Sequence, residues 1–282
     1  MIAQPSYSKI NLACGSTFVT GDGWINLDYT PSGRAIRRAD LLGCLPLQDG
    51  CAELVYSSHF VEHIPYSLVP RFFSECRRIL APGGLLRLVL PDLENICRTY
   101  LECRQRGEHE KADFVVLELL DQCVRSTPGG QLLEKYQTLK CAPYEHSELI
   151  DFVRERTGGD LLLVNEVHNS NSSSQRFSGL CNKIKSRIER TWVEAVLNLL
   201  PSTFRIQNTS VACVGERHHW IWDYEQLYIA LEQAGFESIS RCDASVSRYE
   251  GFPFEPLDLN SNGQPRKGAE SMYIEAINPA EL

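Results

Sequence analysis

The stretch Lys9 to Asp28, KINLACGSTFVTGDGWINLD, most constrains what this chain can fold into. It reads as a short apolar strand (Lys9 to Ala13), a turn through Cys14 and Gly15, and a second strand (Trp24 to Leu27) that ends in the acid Asp28. Strand, small-residue turn and terminal acid describe the nucleotide half of a doubly wound α/β sheet, where backbone N–H groups face a ligand and the acid accepts from ribose hydroxyls. Taken alone, the pattern is equally that of an ordinary αβ turn. Only nine residues separate Gly15 from Ile25, too few for a full helix with two loops, so the connection is expected to be a turn.

A chain of 282 residues is long enough for one well-buried α/β domain with an added part, and 43% hydrophobic against 23% charged residues predicts a folded core. The net charge of -8 opposes a nucleic-acid partner. No window approaches the ~20 apolar residues of a membrane span. The opening MIAQPSYSK lacks the basic start and apolar run of a signal peptide, so a cytoplasmic location is expected. Eleven cysteines, an odd number without any C-x-x-C pair, predict reduced, buried small hydrophobes rather than zinc ligands or a disulfide framework.

A second set of motifs follows in order: Asp40-Leu41, Leu45-Pro46-Leu47, the apolar run Glu53 to Ser58 with His59, and Glu62-His63-Ile64. After an amphipathic helix over 67–80 come ECRRILAPGG (Glu75 to Gly84) and the strand Leu85 to Leu90. These motifs resemble the class I S-adenosylmethionine (SAM) dependent methyltransferases, and within them the small-molecule type 11 group, particularly its polysaccharide-associated members. The resemblance covers residues 9–94 and resumes at 215–277. Its most specific piece is EHI followed, after a helix, by ECRRILAPGG and a strand.

The resemblance implies a Rossmann-like, doubly wound seven-stranded sheet with an antiparallel last strand and a helical insertion after strand five. Residues 1–97 would begin the SAM-binding core, 98–214 form a mainly helical substrate cap, and 215–282 complete the core. It implies SAM as cofactor and methyl transfer to a hydroxyl or amine of a small-molecule or glycan-type acceptor. A catalytically degenerate binding or scaffold protein is the alternative, because the first loop departs from the family pattern: Asn11 stands for its acid, and Ala13, Gly15 and Thr17 for its three glycines. An NAD-dependent oxidoreductase is disfavoured, since Gly-x-Gly-x-x-Gly is missing.

By the same resemblance, Asn11, Ala13, Cys14 and Gly15 would meet the cofactor's methionine end, Asp28 its ribose, and Asp40 and Leu41 its adenine. Ser57 and Ser58 would touch it from the end of the fourth strand. On local grounds Asp28 and Asp40 are equally turn or cap residues. His59 stands where a general base is useful, because imidazole titrates near neutrality. His63 is a second candidate, with carbonyl-bonded packing as its competing use. In Gly215 to Asp223, His218 or His219 would reach over the acceptor and Trp220 or Trp222 would wall it, packing being the commoner use of adjacent aromatics. Adjacent histidines cannot share a metal as an i,i+4 pair does, so no metal site is expected.

Breaks at Thr127 to Gly130, Gly158 to Asp160 and Asn169 to Ser174 divide the insertion. Its helix Lys183 to Leu200 carries Ile188, Trp192, Val196 and Leu200 at helical spacing; core packing is the expected use, ahead of membrane-surface contact. Asp92 and Asp223 are expected N-caps, Gly83-Gly84 a helix stop, and Phe236 to Cys242 with Ser271 to Ile277 an antiparallel pair.

Overall fold

The computed structural model describes residues 7–159, 191–193, 195–210 and 215–280, the side chains of 206–208 excepted. Seven strands form one sheet: β1 (Ser8–Leu12), β2 (Trp24–Asp28), β3 (Ile36–Arg38), β4 (Ala52–Ser58), β5 (Leu80–Pro91), β6 (Glu237–Cys242) and β7 (Ser271–Ile277). Their order is β3-β2-β1-β4-β5-β7-β6, with β1 to β5 parallel and β7 antiparallel to both neighbours. The strand order reverses between β1 and β4, and in an open parallel sheet ligands bind outside the carboxyl ends of the strands at that point. β4 and β5 are apolar runs because both faces are covered. No helix separates β1 from β2.

Helix α1 (Val69–Ile79) turns Val69, Phe72, Phe73, Cys76 and Ile79 onto the sheet. Full burial of Phe72 and Phe73 contributes about 1.5–3 kcal/mol each. The polar face of α1 is also used. Glu75 Oε2 accepts the Leu45 N–H at 2.9 Å, while Arg78 donates to the Leu45 and Leu47 carbonyls and to Asp49 at 2.6 Å. The acid and second arginine of ECRR therefore fasten the loop before β4.

Gly83 and Gly84 do not stop the helix. The chain becomes extended at Leu80, and the glycines form an irregularity inside β5, where pairing with β4 jumps from Ala52 to Leu54. The cause is crowding: a Cβ at Gly84 would lie 2.9 Å from the Ala81 carbonyl oxygen and 3.2 Å from that of Ala52. Both expected caps form, with Asp92 accepting from Glu94 N–H and Asp223 from Gln226 N–H.

Beyond β5 come α2 (Leu93–Gln105), α3 (His109–Val124), α4 (Gly130–Cys141) and α5 (Ser147–Thr157). The last three share a small core of Phe114, Leu132, Leu139, Leu149, Ile150 and Val153. The helical run begins at Leu93, so a boundary at 97/98 falls inside α2. Arg156 joins this layer together, donating to Glu118 at 2.9 Å and to Asn95 and Thr99. The Ala269 and Glu270 N–H groups donate to the Glu155 and Arg156 carbonyls, which docks α5 against the approach to β7.

The break Asn169 to Ser174 and the start of the helix Lys183 to Leu200 lie outside the described residues. Trp192 and Val196 are 67% and 42% exposed, so core packing of these two is corrected: no described segment covers them. Among the described residues no helix is long and apolar enough to cross a membrane.

Candidate active site

The carboxyl ends of β1, β2 and β4 gather most of the residues singled out from the sequence. After β1 the backbone turns through Ala13 and Gly15, each at φ 55°. A Cβ at Gly15 would meet no atom within 4 Å, so glycine is used there for its conformation and the space above the turn is open. Asp28 holds this turn: Oδ2 accepts Gly15 N–H at 2.9 Å and Oδ1 accepts Thr30 N–H at 2.7 Å. A carboxylate has about four lone-pair positions, so each oxygen keeps one for a further donor. Asp40 is exposed and its Oδ1 accepts Leu42 N–H at 3.1 Å, the local turn anticipated for it.

Other candidates are turned inward. Asn11 is 1% exposed and donates to the Thr17 carbonyl and to Asn26, linking the loop to β2. Ser57 is 1% exposed and donates to the Leu12 carbonyl, while Leu41, at 4%, belongs to the core. Cys14 is buried, and burial with the nearby Asp28 charge pushes its thiol up to about 12. Ser58, half-buried, ends β4, and Ala13 is likewise half-buried at the turn.

Past β4 a histidine and carboxylate cluster forms. His59 sits at φ 51°, a left-handed backbone costing an L-residue about 1–2 kcal/mol. Its Nε2 lies 2.9 Å from Ser271 Oγ and its Nδ1 lies 3.3 Å from Glu62 Oε1. Ser271 donates its own hydrogen to the Lys267 carbonyl at 3.2 Å, so His59 Nε2–H is the donor to Ser271 and Nδ1 the acceptor facing Glu62. Burial, with the charges of Lys267 and its neighbours, holds the imidazole well below its usual range. Glu62 is wholly buried, and burial pushes its carboxyl up to about 8.

His63 Nδ1 is 2.9 Å from the Arg217 carbonyl, the structural use anticipated for it. Its ring meets His218 edge to face at 4.7 Å between centroids. His218 is buried, whereas His219 is exposed and donates its backbone N–H to the Glu62 carbonyl at 2.7 Å. Trp220 is 40% exposed, but Trp222, at 1%, is a core residue stacked on Tyr66, so it walls nothing. A separate cavity of 580 Å³ lies between α2, α3 and α4, lined by Arg104, Leu120 and Gln131 among others, and includes none of the strand-tip residues.

Residues 25–88, which contain Asp28, Asp40 and the whole β4 cluster, match a family described as "Methyltransferase domain". This segment matches a methyltransferase domain. No curated protein matches the chain. Similar solved structures include an S-adenosylmethionine dependent methyltransferase from Mesorhizobium loti (23% identity over 32% of this chain and 48% of that one, TM-score 0.26). Another is a SAM dependent methyltransferase from Archaeoglobus fulgidus (11%, covering 97% and 87%, TM-score 0.38). A third is a chain of the complex between the Haloferax volcanii Trm112 methyltransferase activator and a methyltransferase (10%, covering 100% and 86%, TM-score 0.40). The chain spans about half the length of the first of these, 48%.

SAM is the cofactor of this methyltransferase family, and the residues present suit it. Asp28 retains acceptor capacity for two vicinal hydroxyls, Asp40 Oδ2 for an exocyclic amine, and the open turn at Gly15 admits an amino-acid moiety. Sequence reasoning gave Glu62 only a helix-end role, and gave Lys267 and Ser271 none. Lys267 lies in a segment that reads as an ordinary loop and Ser271 opens a strand, so no local pattern marked either one.

Proposed function

We propose that this chain is a cytoplasmic SAM-dependent methyltransferase acting on a hydroxyl or amine of a small-molecule or glycan-type acceptor. The observation that carries the reading is the shared location of Asp28, the open Gly15 turn and the strained His59 at adjacent strand ends. SAM supplies an electrophilic methyl group on a sulfonium. The protein's part is to align an acceptor with it and to take up the proton the acceptor loses. Asp28 would hold the ribose, and Asp40, beside the buried Leu41, the adenine. Ala13, Cys14 and Gly15 would border the methionine end, and Ser58 the sulfonium side; Asn11 and Ser57 would support that surface from within.

His59 is the proposed base. Its neutral imidazole presents Nδ1 toward Glu62 and is steadied at Nε2 by Ser271. His63 and His219 flank it and would border the acceptor, with Trp220 beside them and the helical layer α2 to α5 as its cap. Calorimetric titration with SAM and with S-adenosylhomocysteine tests the cofactor assignment. Micromolar binding, about -8 kcal/mol, should disappear in Asp28→Ala. An enzyme that binds SAM and stays fully active as His59→Ala refutes the base.

A second reading is a scaffold that keeps the fold without the chemistry. One observation favours it: the Gly15 N–H, available to a ligand in the open turn, is spent on Asp28. Absence of binding of either ligand would select this reading.

A further inference from the structure

Glu62, His63 and His218 each bring one ligand atom to within 4.8 Å of the others. Two of them are orphaned by ordinary bonding. Among the described residues neither Glu62 carboxylate oxygen has a hydrogen bond although the residue is 0% exposed, and His218 Nδ1 is buried without a partner in a residue 6% exposed. Leaving such groups unpaired costs about 1–3 kcal/mol each, more for a charged one, so the cluster is suited to a partner that the described residues do not supply.

The third ligand is already oriented. His63 Nδ1–H donates to the Arg217 carbonyl at 2.9 Å, which fixes the tautomer and leaves the Nε2 lone pair free. A ligating histidine commonly has this arrangement, its other nitrogen held by a backbone carbonyl.

From these contacts we propose that Glu62, His63 and His218 form a binding site for a divalent transition-metal ion of the zinc type. Two imidazoles and a carboxylate suit zinc, at about 2.0–2.2 Å per bond, and leave a fourth position for water or an acceptor oxygen. Four ligands at that distance stand about 3.4 Å apart, so the side chains close on the ion by roughly an ångström. Glu62 and His63 precede the helical layer and His218 follows it, so the ion ties together the two segments between which that layer is inserted. His59 Nδ1, 3.3 Å from Glu62 Oε1, stands at the edge of the site. The charge of Lys267 reaches all three ligands and opposes a cation there.

The test uses the full chain, stripped with chelator and titrated with zinc chloride against a chromophoric competitor, with cobalt(II) absorption reporting geometry. No SAM is added, so the outcome is independent of the cofactor assignment. One equivalent is expected to bind, with affinity weakened at least tenfold in Glu62→Gln, His63→Ala and His218→Ala and unchanged in the exposed control His109→Ala. Lys267→Gln is expected to tighten binding. Circular dichroism of the metal-free variants checks folding, and His63→Gln replaces any alanine variant that fails to fold. Absence of saturable one-equivalent binding, or equal affinity across the ligand variants, overturns the proposal.

Discussion

Replacement of Arg87 by methionine tests whether the sheet depends on an ion cluster sealed beneath the strand ends. Arg87 is 0% exposed. Its Nε donates to Asp258 at 2.7 Å and its Nη1 to Glu275 at 2.7 Å, with the Val246 carbonyl at 2.9 Å. Asp258 also accepts the Tyr56 hydroxyl at 2.7 Å, so β4, β5, β7 and the loop before β7 meet at one guanidinium. Two charge-assisted bonds at about 1.5–3 kcal/mol each set the scale, and removing one member of a buried pair costs about 3–5 kcal/mol because the other charge is stranded. Methionine fills much of the volume, so the lost charge dominates. With a urea m-value of about 3 kcal/mol/M, the midpoint of Arg87→Met should fall by roughly 1–1.7 M.

The pH dependence has a definite sign. Burial raises the Asp258 pKa and the Arg87 charge lowers it; without Arg87 the folded value rises further above the unfolded one. The folded variant then binds more protons than the unfolded chain, so its stability improves as the pH falls through the folded pKa. The deficit is therefore largest at pH 8 and shrinks toward pH 5, and Asp258→Asn added to Arg87→Met should recover part of it. Urea unfolding at both pH values is the assay. A midpoint shift under about 0.3 M, or a deficit that grows on acidification, refutes the reasoning.

Three further expectations concern the frame of the site. Gly268→Ala would drive a Cβ into the Arg156 carbonyl at φ 67°, so a loss of at least about 2 kcal/mol is expected; unchanged urea unfolding would contradict the close packing of α5. The hydrogen bond from Arg78 holds the Glu75 carboxyl below its usual range, outweighing the opposing effect of burial. Its stabilisation is present above the unfolded carboxylate pKa and fades as the pH falls through the folded one. The urea midpoint of Arg78→Ala should therefore approach that of the parent below about pH 4, and a constant gap would oppose the assignment. Asp92→Ala removes the cap of α2 and should cost about 1 kcal/mol, about 2–4 °C in melting temperature; no shift would show that the cap is dispensable.

The sheet was legible because its strands are local signals: apolar runs at β1, β4 and β5, with acids or turns at their ends, report burial directly. The caps at Asp92 and Asp223 were legible for the same reason, since a cap bonds to its own first turn. Gly83-Gly84 misled because a helix stop and a strand irregularity ask for the same residue, and only the nearby Ala52 backbone decides between them. Trp222 takes the commoner of its two uses, packing, although an indole reads alike whether it walls a site or fills a core. The cluster at β4 was half legible. EHI was recognisable, but its pairing requires the chain to return after the helical layer, so that His63 meets Arg217, 154 positions later. As a metal ligand His218 was weighed only with its neighbour His219, as an adjacent pair unable to share an ion. Once the fold sets it against His63 and Glu62, the ligand geometry is tertiary, and the same two-histidine sequence has a different chemical meaning.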